Sequence, residues 1–317
     1  MPTPALMWVD DPQAYRDALA EAGLADKLDM SFAKRGERAP AEQLARAEIM
    51  CGWPPPPGTF AQMPKLKWVQ TPSVGVGGWL RRKDLDPSIP VACARGIHRV
   101  QMPENILGAL FHLTKHYWRH EASKLEHKWN RRISEPLAGK TLGILGLGTV
   151  GQELARKAEA LEMRVIGTKK TAGALPHVAR VYTPDQTDEV LRQSDFVLLL
   201  LPDIAETDSF INAARLKQMK PSAYLLNFSR GQLIVDQDLI DAVKAKTIAG
   251  AVLDAHRQEP LPPEHPFWAT DGILVLPHIG GGHPRRDRIV ADLFVENLRC
   301  WLAGKPLKTA VDRAKGY

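Results

Sequence analysis

The stretch TLGILGLGTVGQELARKAEALEM holds three glycines, Gly146, Gly148 and Gly151, in the spacing G-x-G-x-x-G. Alone that spacing is a weak signal. Here an apolar run precedes it, and Val150, Leu154, Ala158 and Leu161 form one helical stripe after it. Between a strand and a helix, the first glycine permits a tight turn and the second lets a pyrophosphate approach the backbone. The third lets the helix pack closely on the strand. The free N–H groups and partial positive charge of the helix start then face the phosphates. Downstream, the run RVIGT ends in Thr168, Lys169 and Lys170. A unit built for NAD places an acidic residue at that strand end, on the adenosine ribose hydroxyls. A carboxylate repels a 2′-phosphate and lysines attract one, so these residues point to NADP(H) in preference to NAD(H), with a hydroxyl available from Thr168.

The elements that must position this loop follow from periodicity. TLGILG (141–146), RVIGT (164–168), FVLLLL (196–201), AYLLNF (223–228), AGAVLD (249–254) and ILVLP (273–277) alternate with helical stretches. Continuous apolar strands between helices indicate a parallel sheet covered on both faces. Upstream, ALMWV, PQAYRDALAEAGL, AEIMCGW, KLKWVQT and PVACA describe a smaller α/β unit, with WPPPPG as a stiff surface loop. PENILGALFHLTKHYW sets Ile106, Leu107, Leu110, Leu113 and Tyr117 along one stripe of a helix over 104–119. A helical stretch over 286–302 leads to a tail without strands of its own, which is expected to return to the N-terminal unit. The expected architecture is α/β, with doubly wound parallel sheets in two Rossmann-like domains.

Composition narrows the function classes. A chain of 317 residues is long for one domain, and 44% hydrophobic with 25% charged residues suits a soluble globular protein. The longest apolar run, FVLLLLP, is too short to cross a bilayer. MPTPALMWVDD lacks a basic region followed by an apolar core, so a signal peptide is not expected. Cys51, Cys93 and Cys300 are far apart and form no C-x-x-C pair. That suits a reducing, cytoplasmic compartment and argues against a disulfide framework or a metal site. The net charge of +6 is spread, with both signs interspersed. Its densest groups, RRK (81–83) and HPRRDR (283–288), are small. A mild field attracting small anions is expected, not a nucleic-acid surface.

From about residue 64 onward the chain resembles the D-2-hydroxyacid dehydrogenases, in the branch that includes glyoxylate and hydroxypyruvate reductases. The resemblance is carried by PKLKWVQTPSVGV, LAGKTLGILGLGTVG, MKPSAYLLNFSRGQLIVDQDLIDAV, GAVLDAHRQEPLP, LPHIGG and the terminal VDRAKGY. Its most specific part is the ordered set N-x-x-R-G, L-D-x-x-x-x-E-P and P-H-x-G-G. It implies a bilobal enzyme with its site in the cleft. The substrate domain would comprise 1–102 and 283–317, and the inserted NAD(P)-binding domain 103–282. It also implies a small 2-keto acid as substrate, and a homodimer paired through the nucleotide-binding domain with helix 104–119 near the contact.

The resemblance assigns catalysis to Arg230, Glu259 and His278, and each makes chemical sense by itself. Reducing a 2-keto acid needs a hydride from the nicotinamide, a proton for the carbonyl oxygen and a cation for the carboxylate. His278 follows a strand on the side where such sheets bind ligands, and histidine is suited to the proton. Glu259 would hold the imidazole in its tautomer and favour its protonated form. Arg230, at another strand end, would bind the carboxylate bidentately and polarise the carbonyl. By resemblance, the backbone of Val74, Gly75 and Val76 grips the substrate carboxylate. Thr149, Val150, Leu201, Pro202, Phe228, Ser229, Asp254 and Gly281 belong to the cofactor site, Asp254 near the nicotinamide. The family usually has an acid at Gly77, and a helix-ending glycine at Glu162. Two other readings stand beside the reductase: a dinucleotide-sensing binding protein of the same fold, and an NAD-dependent phosphoglycerate dehydrogenase-like enzyme, although no regulatory domain follows VDRAKGY. The formate-oxidising relatives carry glutamine at the place of Glu259. Trp53, Trp79 and Trp268 are candidates for shaping the pocket, which the sequence does not place.

Overall fold

A computed structural model describes residues 1–171 and 173–314. The chain divides into two compact units, one of Met1–Ile97 with the residues from His283 onward, the other of His98–Gly282. The last three residues of the VDRAKGY motif lie outside the described residues.

In the first unit, β1 (Thr3–Trp8), β2 (Leu28–Ala33), β3 (Ile49–Gly52), β4 (Trp68–Gln70) and β5 (Val91–Ala92) form a parallel sheet in the order β2-β1-β3-β4-β5. Alternation along β1 sends Ala5 and Met7 to one core, and Leu6 and Trp8 to the other. The helix Pro12–Glu21 starts where Asp11 accepts hydrogen bonds from the Gln13 and Ala14 amides, with proline at the first helical position. It packs on the helix Arg286–Leu302, whose Phe294 stacks on Trp68 with ring centroids 5.5 Å apart. Buried Asn297 donates to Gln70 Oε1 at 2.6 Å and accepts from the Lys308 amide at 2.8 Å, so its polar ends are satisfied inside the core.

In the second unit, seven strands form a parallel sheet: β6 (Thr141–Leu145), β7 (Arg164–Thr168), β8 (Arg180–Tyr182), β9 (Phe196–Leu199), β10 (Tyr224–Asn227), β11 (Gly250–Leu253) and β12 (Ile273–Val275). The order is β12-β11-β10-β9-β6-β7-β8. From β6 the chain winds outward through β7 and β8, then returns to β9 on the other side. That reversal makes a crevice at the carboxyl ends of β6 and β9, where open α/β sheets bind ligands. Five apolar runs read as strands stop short at this end, leaving Gly146, Leu200, Leu201, Phe228, Asp254, Leu276 and Pro277 in the loops. β2 and β8 were not expected from the sequence.

The helix expected over 104–119 is two helices, Gln101–Lys115 and Tyr117–Leu125, separated by His116 at φ 51°. A left-handed residue turns the helix axis. Ile106 and Leu110 stay buried, while Tyr117 leaves the stripe and is exposed. Glu162 stands at φ 59°, in the left-handed region that favours glycine, at a cost of about 1–2 kcal/mol. The turn it makes aims its carbonyl at the Gly139 amide, 2.9 Å away. No helix among the described residues is long and apolar enough to cross a membrane.

Candidate active site

The glycine loop lies in the crevice between β6 and β9. A side chain at Gly146 (φ 109°) would place its Cβ 2.6 Å from the Leu200 carbonyl oxygen, and one at Gly151 would be 2.7 Å from the Gly146 oxygen. Gly148 is different: a Cβ there meets nothing within 4 Å. Two glycines therefore serve packing, and the third leaves room for a ligand to approach the backbone. The helix Thr149–Glu159 begins beside that room. Among the described residues, no acceptor faces the amides of Thr149, Val150 or Gly151. Open backbone, free amides and a helix N-terminus match a pyrophosphate, so the loop fits the dinucleotide that its sequence implies. A shallow depression along this helix is lined by Arg99, Thr149, Gln152, Glu153, Arg156 and His177, and Glu153 pairs with Arg156 at 2.6 Å, so Arg99 supplies the positive charge there that no motif announced.

The Leu147 amide donates to the Thr168 carbonyl at 2.9 Å, tying the loop to the end of β7. There Thr168 is buried, Lys169 half-buried and Lys170 exposed. Among the described residues, neither lysine has an acid within ion-pair reach. Both cations are free for an anion.

Arg230 is set by the turn after β10. Asn227 Nδ2 donates to the Arg230 carbonyl at 2.9 Å, its Oδ1 accepts from the Ser229 amide at 3.1 Å, and Ser229 Oγ donates to the Leu201 carbonyl. Gly231 passes so close to the next loop that a Cβ would stand 1.9 Å from the His256 carbonyl carbon. The motif N-x-x-R-G is thus a turn that presents the arginine. Arg230 remains half-buried, donating to the Ser229 carbonyl at 2.6 Å.

His278 Nδ1 faces Glu259 Oε2 at 2.7 Å, while Glu259 Oε1 accepts from the His256 amide at 2.9 Å. Burial pushes the Glu259 carboxyl up, but the His256 amide, the hydrogen bond to His278 and the nearby imidazoles outweigh it, so the carboxyl sits below its ordinary range. An ionised carboxylate only accepts, so Nδ1 carries a proton and Nε2 is the nitrogen left for a ligand. The His278 side chain is 44% exposed, enough for that nitrogen to be reached. His278 itself stands at φ 53°, a backbone that a side chain resists by about 1–2 kcal/mol. Fully buried Asp254 holds the segment that follows: its two carboxylate oxygens accept from the Ile279 and Gly280 amides, each at 2.8 Å. Phe228 packs on Gly280, and His98 on Gly281. His98 also lies within electrostatic reach of both Arg230 and His278, which puts the two in one neighbourhood. Pro202, half-buried in the loop after β9, accepts from Thr207 Oγ1 at 2.6 Å.

The segment of Val74, Gly75 and Val76 belongs to the first unit, in the loop after β4. Gly75 donates to Ser73 Oγ at 3.1 Å, whereas no acceptor faces the Val74 and Val76 amides among the described residues. In that unit Trp79 is a core side chain against Phe60, and Trp53 lies between the guanidinium groups of Arg35 and Arg286. Trp268, in the second unit, is exposed and donates to the Pro262 carbonyl at 2.9 Å.

The family model of the D-isomer specific 2-hydroxyacid dehydrogenase, NAD binding domain, matches residues 107–280. Glyoxylate reductase from Pyrococcus furiosus is 32% identical over 273 residues, 80% of this chain and 78% of that protein. A D-isomer specific 2-hydroxyacid dehydrogenase from Xanthobacter autotrophicus Py2, solved in complex with NADPH and MES, superposes with a TM-score of 0.88 at 29% identity over 100% of both chains. An NADPH-dependent glyoxylate/hydroxypyruvate reductase from Sinorhizobium meliloti, in complex with NADP and sulfate, gives 0.86 at 26% identity, covering 99% of this chain and 100% of the other.

Proposed function

We propose, for a chain that belongs to the D-isomer specific 2-hydroxyacid dehydrogenase family of NAD(P)-dependent enzymes, that it reduces a small 2-keto acid of glyoxylate or hydroxypyruvate type to the D-2-hydroxy acid, with NADPH. The observation that carries this reading is the 2.7 Å contact of His278 Nδ1 with Glu259, which leaves Nε2 free. NADPH, when bound, supplies the hydride that reaches the keto carbon. His278, as imidazolium, gives its Nε2 proton to the carbonyl oxygen, and Glu259 keeps the ring oriented and compensates its charge. Arg230 takes the substrate carboxylate through its planar fork and stabilises the charge that develops on the oxygen. The unengaged amides of Val74 and Val76 are the anion-binding groups that the first unit offers. Gly148, Thr149 and Val150 take the pyrophosphate, and Lys169 with Lys170 the 2′-phosphate. Support for the cofactor comes from the Xanthobacter and Sinorhizobium proteins, solved with NADPH and NADP. Free Cys51, Cys93 and Cys300 support a reducing, cytoplasmic setting.

The test is an initial-rate screen of glyoxylate, hydroxypyruvate, pyruvate and phenylpyruvate with NADPH and NADH. Oxidation of NADPH by glyoxylate or hydroxypyruvate, with a D-configured product from hydroxypyruvate, is expected. Dinucleotide binding without turnover of any keto acid would instead make the chain a sensor.

Homodimerisation through the nucleotide-binding unit belongs to the same reading. Its support is the segment 125–133, where the large apolar side chains of Leu125, Trp129 and Ile133 stand 84%, 97% and 88% exposed between polar and charged neighbours. Sedimentation equilibrium should give twice the chain mass for the wild type and a monomer for Trp129→Ser combined with Ile133→Ser. A monomeric wild type rejects the dimer.

A further inference from the structure

The loop that carries His278 is gripped from more than one direction. Asp254 takes the Ile279 and Gly280 amides. A second side chain, Asn105, takes the carbonyls: its Nδ2 donates to Ile279 O at 3.2 Å and to Gly280 O at 2.9 Å. The Ile279–Gly280 peptide is not among the cis bonds, so its N–H and C=O point to opposite sides. Asp254 and Asn105 therefore hold the same peptide plane from its two edges. Both partners of the Asn105 amide are carbonyls, which requires the nitrogen, not the oxygen, to face them. The residue before this plane is His278, whose backbone is left-handed without being glycine, a conformation that persists only where its surroundings impose it.

Asn105 is well placed for that task. It stands in the second turn of the helix Gln101–Lys115, between buried Pro103 and Ile106, so its backbone is fixed by packing. The same stretch of chain brings His98 to the loop: its ring covers Gly281, where a Cβ would be 2.7 Å from the ring Nδ1. Burial lowers the His98 pKa, Arg230 and His278 push it the same way, and a hydrogen bond with the Gly281 backbone opposes them. A neutral ring against the loop adds no competing charge beside His278.

We propose that Asn105 is a positioning residue for proton transfer, holding the Ile279–Gly280 peptide so that His278 keeps its imidazole on Glu259 with Nε2 turned to the substrate. This rests on the reading of His278 as proton donor. Asn105→Asp keeps the size of the side chain and sets a carboxylate against two carbonyls, whereas Asn105→Ala simply removes the donor.

The experiment is a double-mutant cycle with His278→Ala, together with amide hydrogen exchange of the cofactor-free protein. Each Asn105 variant should lose about tenfold or more in kcat, since small misplacements of reacting groups are costly. The KM for the keto acid and the Kd for NADPH should stay within about twofold, because binding is not its task. In the His278→Ala background the same substitutions should change the residual rate by less than about twofold, as coupled residues do. Exchange at the Ile279 and Gly280 amides should quicken in Asn105→Ala without a matching change elsewhere in the second unit. Equal losses in both backgrounds, or an unchanged kcat, overturn the clamp while leaving His278 in its role. Wild-type turnover in His278→Ala overturns the donor assignment, and the clamp with it.

Discussion

His278→Ala lowers turnover of the 2-keto acid by about 10²- to 10⁴-fold, the usual worth of a positioned acid, while the Kd for NADPH stays within about twofold. The expectation follows from the Nδ1–Glu259 contact, which spends one ring nitrogen on orientation and leaves the other for chemistry. Alanine removes both and disturbs no group of the glycine loop. Stopped-flow turnover beside a fluorescence titration with NADPH separates the two quantities. A variant retaining more than about half of the wild-type kcat removes the histidine from the mechanism. Glu259→Gln is the companion variant. In the wild type the carboxylate persists down to its lowered pKa, so the acidic limb of the rate profile reports its protonation. Glutamine abolishes that limb. An unchanged acidic limb in the variant rejects the role of Glu259.

The second large effect concerns cofactor choice. Wild type should favour NADPH over NADH in kcat/KM, and Lys169→Asp should erase or invert the preference. A 2′-phosphate carries about −1.5 to −2 charges, and a hydrogen bond to a charged group contributes about 1.5–3 kcal/mol. Lys169 is half-buried and meets that range; Lys170 is exposed, and water screens its share. One such contact corresponds to about 10- to 150-fold. Buried Thr168 is a weaker candidate for the phosphate than either lysine. Calorimetry with 2′-phosphorylated and unphosphorylated adenosine nucleotides isolates the contact from catalysis. Equal use of NADH by the wild type, or an unchanged ratio in the variant, reduces the lysines to a solvated strand end.

How far the sequence reaches depends on which force shapes each element. The interior strands of the second sheet are buried on both faces apart from Arg164 and half-buried Tyr224, so their runs are largely apolar and easily read. β2 and β8 are edge strands. Asp29 and Ser31 in LDMSFA, and Arg180 in RVY, break the apolar pattern because an edge strand has fewer neighbours to satisfy. The break at His116 carries no glycine or proline to announce it. Arg230, Glu259 and His278 were proposed for the chemistry through family motifs, and the turns of two of those motifs have a physical reason, since Gly231 and Gly280 admit no side chain. Asn105 and His98 were not legible: one is an ordinary helical amide and the other a lone histidine, and only folding gives either its partner. Asp254 was expected near the nicotinamide, yet both its oxygens are engaged by amides of the loop after His278, a use that no spacing reveals.

One feature of the first unit bears on how the chain is made. Its sheet comes from the opening third of the sequence, but one face is covered by the helix Arg286–Leu302, with Phe294 against Trp68 and Asn297 answering buried Gln70. On the ribosome, β1 to β5 therefore emerge long before the helix that closes their core. The strands of 98–282 are all in hand earlier than that helix. Domains often mature in the order in which they are synthesised. Here the later-born unit is the first that can complete its interior, and the earlier one waits with Trp68 and Gln70 uncovered. The order of the sequence thus separates the sheet from the helix that covers one of its faces by nearly two hundred residues.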